Sequence, residues 1–232
     1  MKHFMKISFC CLLLLALAAC QQPATPVADS GAGKAAAPTA ATAVDTAANA
    51  DSSAAQEGVA TSPSFDCGRA DGKVEKMICD DAGLATLDRR LAERYGAALA
   101  RAGANKSMLM SSERGWIKGR DDCWKADDMR QCVLESYQTQ LVDLQINHGD
   151  ITVPTAVEYR CDDNSKPLTA VFYNDLDPKA AVLTWGDDQT IVFPRRAASG
   201  ARYGRSGVDF WEHQGEVKVD FYGTTLTCTT PA

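Results

Sequence analysis

The stretch Glu216-Val217-Lys218-Val219-Asp220-Phe221-Tyr222 decides the fold of the C-terminal part. Side chains alternate along a strand, so Val217, Val219 and Phe221 share one face and Lys218, Asp220 and Tyr222 the other. Val157, Tyr159 and Cys161 alternate with Glu158 and Arg160 in the same way. Working outward, the pattern predicts eight strands, near 155–161, 167–174, 179–185, 189–193, 200–204, 207–213, 215–222 and 224–229. Asn164, Asp175 to Pro178, Gly186-Asp187-Asp188 and Gly223 mark turns between them. So many short strands in about 80 residues suit a small closed barrel, which leaves no exposed edge. Cys161 and Cys228 fall in the first and last strands. A bridge between them closes a long loop and contributes about 4 kcal/mol in the chain-entropy treatment.

Upstream the period becomes helical. Leu84, Leu87, Leu91, Tyr95 and Leu99 recur at three- and four-residue steps, with Arg89, Arg90, Glu93 and Arg94 opposite. This is an amphipathic helix that Asp80 or Asp81 can cap. A second helix is expected over about 108–124, around Trp116 and Ile117, and a third from about 128 to 147. Val133, Tyr137, Leu141 and Leu144 share a face of the third, and Asp128 followed by Gln131 suits its start. Short loops imply antiparallel neighbours. The expected fold class is therefore α+β as two separate domains, a small disulfide-linked helical bundle over 65–150 and an eight-stranded antiparallel β-barrel over 151–232. An antiparallel hairpin brings Cys79 to Cys123 and leaves Cys67 for Cys132. Local pairing, Cys67 with Cys79 and Cys123 with Cys132, is the rival solution.

The N-terminus sets the compartment. Lys2 and Lys6 precede an apolar run from Ile7 to Leu17. A spanning helix needs roughly 20 apolar residues, so this run fits the core of a secretory signal instead. Leu17-Ala18-Ala19-Cys20 resembles the bacterial lipobox, whose cysteine is lipidated and becomes the first mature residue. The reading is a signal peptide over 1–19 and a lipidated Cys20; an ordinary signal peptide with a chance cysteine is the plain alternative. Acyl chains hold a membrane by roughly 0.8 kcal/mol per buried methylene. Gln21 stands where an inner-membrane retention signal often has Asp, which favours the outer membrane, facing the periplasm. Residues 20–64 are rich in Ala, Thr, Ser, Pro and Gly and form a linker. As a flexible coil it spans roughly 35–40 Å.

Of nine cysteines, Cys10 and Cys11 leave with the signal and Cys20 takes lipid. Six remain, Cys67, Cys79, Cys123, Cys132, Cys161 and Cys228, an even set that reads as three disulfides in an oxidising compartment. None forms a C-x-x-C pair, and only His148 and His213 lie beyond the signal, so neither metal nor cofactor is expected. His148 reads as a helix-end residue. The formal net charge is −6, and losing Lys2 and Lys6 leaves 22 cations against 30 acids. There is no basic stripe, which argues against nucleic acid.

Two segments resemble known families. Phe65-Asp66-Cys67, Glu75-Lys76-Met77-Ile78-Cys79, Leu87-Asp88, Trp116, Arg120-Asp121-Asp122-Cys123 and Cys132 resemble the N-terminal domain family of the LprI lysozyme inhibitor. Tyr159-Arg160-Cys161, Phe172-Tyr173-Asn174, Ala181-Val182-Leu183-Thr184-Trp185, Ala198-Ser199-Gly200-Ala201-Arg202-Tyr203, Phe210-Trp211 and Thr227-Cys228 resemble the membrane-bound inhibitor of c-type lysozyme, the MliC family. The second resemblance implies an eight-stranded antiparallel barrel with one disulfide, and c-type lysozyme as partner. It also implies that a serine of an S-G-x-x-Y segment and a lysine after the aromatic pair enter the lysozyme cleft and engage its catalytic carboxylates. The serine corresponds to Ser199 and the tyrosine to Tyr203. The lysine is absent: its place falls on His213, and the family's K-G-x-E run reads His213-Gln214-Gly215-Glu216. An imidazole can donate a hydrogen bond but carries no fixed charge.

C-type lysozyme works with two carboxylates that flank the scissile bond. A blocker needs a convex loop with donors aimed at those oxygens. Ser199 supplies a hydroxyl, Gly200 permits close backbone approach, and Arg195, Arg196, Arg202 and Arg205 can pair with carboxylates. Of the adjacent pair Phe210 and Trp211, one belongs in the core and one at the surface, where aromatics favour interfaces. The expected binding set is Ser199, Gly200, Arg202, Tyr203, Trp211 and His213. The plain alternative is that Ser199-Gly200 is a turn and the arginines a solvated face.

An enzyme is not expected. The pairs Asp80-Asp81, Asp121-Asp122, Asp127-Asp128, Asp162-Asp163 and Asp187-Asp188 all sit at expected turns or helix ends, where Asp is favoured locally. Nucleophile-elbow, H-E-x-x-H and P-loop motifs are absent. The functional expectation is an envelope-anchored proteinaceous inhibitor of c-type lysozyme that blocks the cleft with a barrel loop. The alternative, suggested by His213, is a non-inhibitory envelope adapter or stress lipoprotein.

Overall fold

The computed structural model describes residues 62–230. The expected signal peptide, Cys20 and all but the end of the linker lie outside the described residues. Four α-helices come first: α1 (Lys73–Asp80), α2 (Ala82–Arg101), α3 (Lys106–Asp121) and α4 (Met129–His148). Short 3-10 turns at Cys67–Arg69, Gly103–Asn105 and Asp122–Lys125 join them. Eight strands follow: β1 (Val157–Cys161), β2 (Leu168–Tyr173), β3 (Ala180–Trp185), β4 (Asp188–Pro194), β5 (Ala201–Arg205), β6 (Val208–His213), β7 (Glu216–Phe221) and β8 (Thr224–Thr229). Each pairs antiparallel with the next, and β1 pairs with β8, so the barrel is closed.

The expected alternation is observed. Val217, Val219 and Phe221 are buried, while Lys218, Asp220 and Tyr222 are exposed. The barrel interior is apolar and aromatic. Phe210 packs edge-on against Tyr159 and Phe172 at ring distances of 5.6 and 6.0 Å. Cys161 and Cys228 are directly opposed in the β1–β8 pairing and form a disulfide.

In the helical part, Val74, Ile78, Leu84, Leu91, Leu109, Val133, Tyr137, Leu141 and Leu144 form the core. Of the two candidate caps for α2 it is Asp81 that acts, accepting the Leu84 N–H at 3.0 Å. Asp128 caps α4 by accepting the Gln131 N–H, but the Gln131 side chain turns away to Glu135. The His148 carbonyl at the end of α4 accepts from Arg101.

The favoured cysteine pairing requires correction. Cys67 bonds Cys79 and Cys123 bonds Cys132. The reason is α1, which the sequence reading did not include. It turns the chain back so that Cys79, in its last turn, lies 5.9 Å from Cys67 in Cα separation. That distance lies in the range a bridge needs. Cys123 and Cys132 flank the turn between α3 and α4, 5.6 Å apart.

The helices and barrel share a third apolar cluster. Val142 of α4, with Ile146 and Ile151, covers Tyr173, Leu176, Ala180, Val182 and Phe193 on the outer wall of β2–β4. This explains why Ala180 to Leu183 are buried consecutively: one face of β3 meets the barrel interior and the other meets α4. Polar contacts flank the cluster. Glu135 accepts the Ser206 N–H with both oxygens at 3.1 Å and pairs with Arg195 at 3.0 Å. Arg90 pairs with Asp177 at 2.7 Å.

Candidate functional site

In an up-and-down barrel successive connections alternate between the two ends. The β4–β5 and β6–β7 connections therefore emerge at the same end, and this brings Ser199 to His213. The Trp211 indole N–H donates to the Ser199 carbonyl at 3.1 Å. Gly200 adopts φ +73°, and a Cβ there would collide with the Glu212 carbonyl, so only glycine lets the loop lie this close to β6. Trp211 and His213 point outward and stack, with ring centroids 5.8 Å apart and planes 14° from parallel. The β6–β7 hairpin turns through Gln214 and Gly215, both at positive φ, as a two-residue turn of this hand requires.

Four of the expected residues, Ser199, Gly200, Trp211 and His213, thus form one surface. The other two are placed differently. Arg202 lies opposite Trp211 in the β5–β6 pairing, but its guanidinium is engaged by both oxygens of Asp209, at 2.8 and 3.1 Å. Tyr203 points inward, its ring 5.3 Å from Phe172 and 6.4 Å from Phe210. Burial first, and the Glu212 carboxylate second, lift its hydroxyl pKa above the usual tyrosine range. Tyr203 therefore belongs to the barrel core and not to the exposed surface. Of the remaining arginines, Arg195 is held by Glu135 and the Gly204 carbonyl. Arg195, Arg196, Arg202 and Arg205, with Asp209 and Asp220, line an open polar cavity of about 610 Å³ on the barrel wall.

One cation escaped the sequence reading. Lys218 is the cross-strand neighbour of Trp211, and Glu216 is that of His213. The Lys218 ammonium lies 3.2 Å from Glu216 and its side chain is largely exposed. A fixed positive charge therefore stands beside the stacked Trp211–His213 pair, although the loop itself lacks the family lysine. The β6–β7 register, once known, was the signal for it. Among the described residues no cluster of His, Cys, Asp and Glu suited to a metal is present.

A closed eight-stranded barrel, bridged between its end strands and carrying an S-G-x-x-Y loop pinned to Trp211, is the architecture that the MliC resemblance implies. The family model described as membrane-bound lysozyme-inhibitor of c-type lysozyme matches residues 159–227. The similarity extends into the helical part. Lipoprotein LprI of Mycobacterium bovis and that of Mycobacterium tuberculosis are each 46% identical over 167 residues, 72% of this chain and 84% of theirs. The chain belongs to the LprI lipoprotein family and carries an MliC domain. No solved structure matches it.

Proposed function

We propose that this protein inhibits c-type lysozyme from the cell envelope by placing the Ser199–Gly200 loop, Trp211 and His213 against the catalytic cleft. The observation that carries the reading is the exposed loop pinned to β6, inside the segment that matches the inhibitor family. Ser199 offers its hydroxyl to a catalytic carboxylate, Gly200 admits close approach, Arg202 borders the surface, and Tyr203 packs in the barrel core behind it. The chain does no chemistry of its own and needs no cofactor. Residues 1–19 are removed, Cys20 is acylated, residues 20–64 form the tether, 65–150 the bundle and 151–232 the inhibitory barrel. The outer membrane, on its periplasmic face, is the expected location.

Losing a hydrogen bond to a charged group costs about 1.5–3 kcal/mol, and 1.4 kcal/mol is a factor of ten. Ser199→Ala should therefore weaken inhibition roughly tenfold or more, and Gly200→Trp should abolish it. The measurement is residual lysozyme activity against the whole chain and these variants. Equal inhibition by all three would place the site on another loop.

A second reading follows from two observations: His213 stands in the place of the family lysine, and Asp209 engages Arg202. Both changes reduce the positive charge available to a carboxylate. On that reading the protein is a non-inhibitory envelope adapter, and wild type should leave lysozyme fully active.

A further inference from the structure

The two faces of α3 differ sharply. Leu109, Glu113 and Arg120 are buried, and Trp116 is half-buried against Tyr137 at 5.3 Å. One flank of the helix carries Lys106, Met110, Arg114, Ile117 and Lys118, all exposed, while Met108 is exposed on the other flank. The following turn adds Trp124 and Lys125. Met108 is 67% exposed, Met110 40%, Ile117 39% and Trp124 53%. Met110, Ile117 and Trp124 are three of the six large hydrophobic side chains exposed among the described residues, and Ile117 and Trp124 line one surface depression with Arg114 and Lys118. Single exposed apolar residues mean little, but a contiguous set marks a contact surface.

Charge narrows the choice of partner. The carboxylates of α3 are Glu113, buried on Gln140, and Asp121, held by Arg120 at 2.7 Å. This flank therefore bears three cations and one carboxylate, Asp121, whose charge the Arg120 guanidinium offsets, on a chain of net charge −6. Neighbouring acids are also engaged. Glu75 accepts the N–H groups of Asp71 and Gly72, and Asp122 pairs with Lys125 at 2.7 Å. The ammonium groups of Lys73 and Lys125 each lie 5.6 Å from the Trp124 ring. The bridge between Cys123 and Cys132 fixes the turn that displays this indole.

We propose that this face of α3, with Trp124, docks on the anionic phospholipid headgroups of a bilayer. Lys and Arg reach the phosphates while the Met, Ile and Trp side chains enter the headgroup layer, where indoles are favoured. A second copy of the chain fits less well, because a two-fold contact through this face would set its cations against each other. The surface shares no residue with the barrel site, so the proposal stands apart from the lysozyme reading. It gives the helical part a role of its own, holding the tethered protein against the membrane.

The test uses the chain from residue 20 onward carrying Cys20→Ser, so that no acyl chain contributes. It is sedimented with vesicles of phosphatidylcholine alone or mixed equally with phosphatidylglycerol. Binding is expected only to the anionic vesicles, with loss as salt rises. Combined Lys106→Glu, Arg114→Glu and Lys118→Glu should weaken partitioning roughly tenfold or more. Trp124→Ser should remove the blue shift of tryptophan emission on binding. All four residues are exposed, and circular dichroism checks that each variant folds. Failure to bind anionic vesicles, equal binding to both vesicle types, or an unaltered triple variant would overturn the proposal. So would self-association abolished by Ile117→Ser in a chain that ignores vesicles.

Discussion

The barrel and the helical bundle have interiors of different kinds. The barrel packs Tyr159, Phe172, Tyr203, Phe210 and Phe221 around aliphatic side chains, and its first and last strands are bridged. The bundle instead buries charge. The Tyr137 hydroxyl donates to Asp88 at 2.8 Å and accepts from Arg120 at 2.9 Å, while Arg120 also pairs with Asp121. Glu113 lies buried on Gln140. Asp88, Trp116 and Arg120, which help to carry the bundle's family resemblance, lie in or against this polar core. In the barrel the corresponding loop residues lie at the surface. Residue identity thus fixes the bundle's packing but the barrel's exposed site.

The largest effect should come from breaking the bundle's network. Arg120→Ala leaves Asp88 buried without its cation, and removing one partner of a buried pair costs about 3–5 kcal/mol. Urea denaturation should show this loss, with a clearly smaller one for Arg202→Ala, whose Asp209 partner is solvated. Next comes the barrel bridge. Cys161→Ala with Cys228→Ala should cost about 4 kcal/mol, and removing the Cys67–Cys79 bridge less, because the loop it closes is much shorter. Peptide mapping without reduction checks the three pairings first.

Two buried glutamates should respond to pH with opposite sign. Burial raises the pKa of Glu113 above the usual carboxylate range, against the pull of Gln140 and Arg120. Its contribution is present below the unfolded pKa, near 4.3, and is lost as pH rises through the folded value. Burial also opposes ionisation of Glu135, but hydrogen bonds from Gln131 and Ser206, with the Arg205 charge, outweigh it and hold the pKa low. Its contribution is present above about 4.3 and disappears as pH falls through the folded value. At neutral pH Glu113→Gln should thus leave stability equal or higher, whereas Glu135→Gln should lower it. Thermal melts from pH 7 down to about 3 separate the two, and parallel behaviour would contradict the assignment.

Much of the barrel was legible because a two-residue period survives in strands with one wet face, most plainly β1, β7 and β8. β2 to β4 are the exceptions: Tyr173, Ala180, Val182 and Phe193 are buried on the outer wall, and the sequence did not say that α4 covers them. α1 was missed because it spans eight residues and is preceded by Gly72, which has no side chain to cap it. The cysteine pairing followed that omission. In the candidate site, parity along the barrel sufficed to bring Ser199 to His213. It could not show that Asp209 occupies Arg202, or that Lys218 flanks Trp211, because both depend on the register across neighbouring strands.

Lys218 sets the smallest prediction. His213→Lys should tighten lysozyme binding modestly, about threefold to tenfold, since surface charge pairs are worth 0.2–1 kcal/mol and a partly desolvated one more. Calorimetric titration should show a loss of similar size when Lys218→Gln removes the neighbouring charge. Unchanged affinity in Lys218→Gln would mean that Lys218 has no part in the surface.

The central claim is most directly tested by amide exchange of the whole chain, alone and with excess c-type lysozyme. Protection is predicted over 197–203 and 211–216, at the shared end of the barrel, with the bundle unchanged. No complex at all, or protection confined to the helices, would contradict the account.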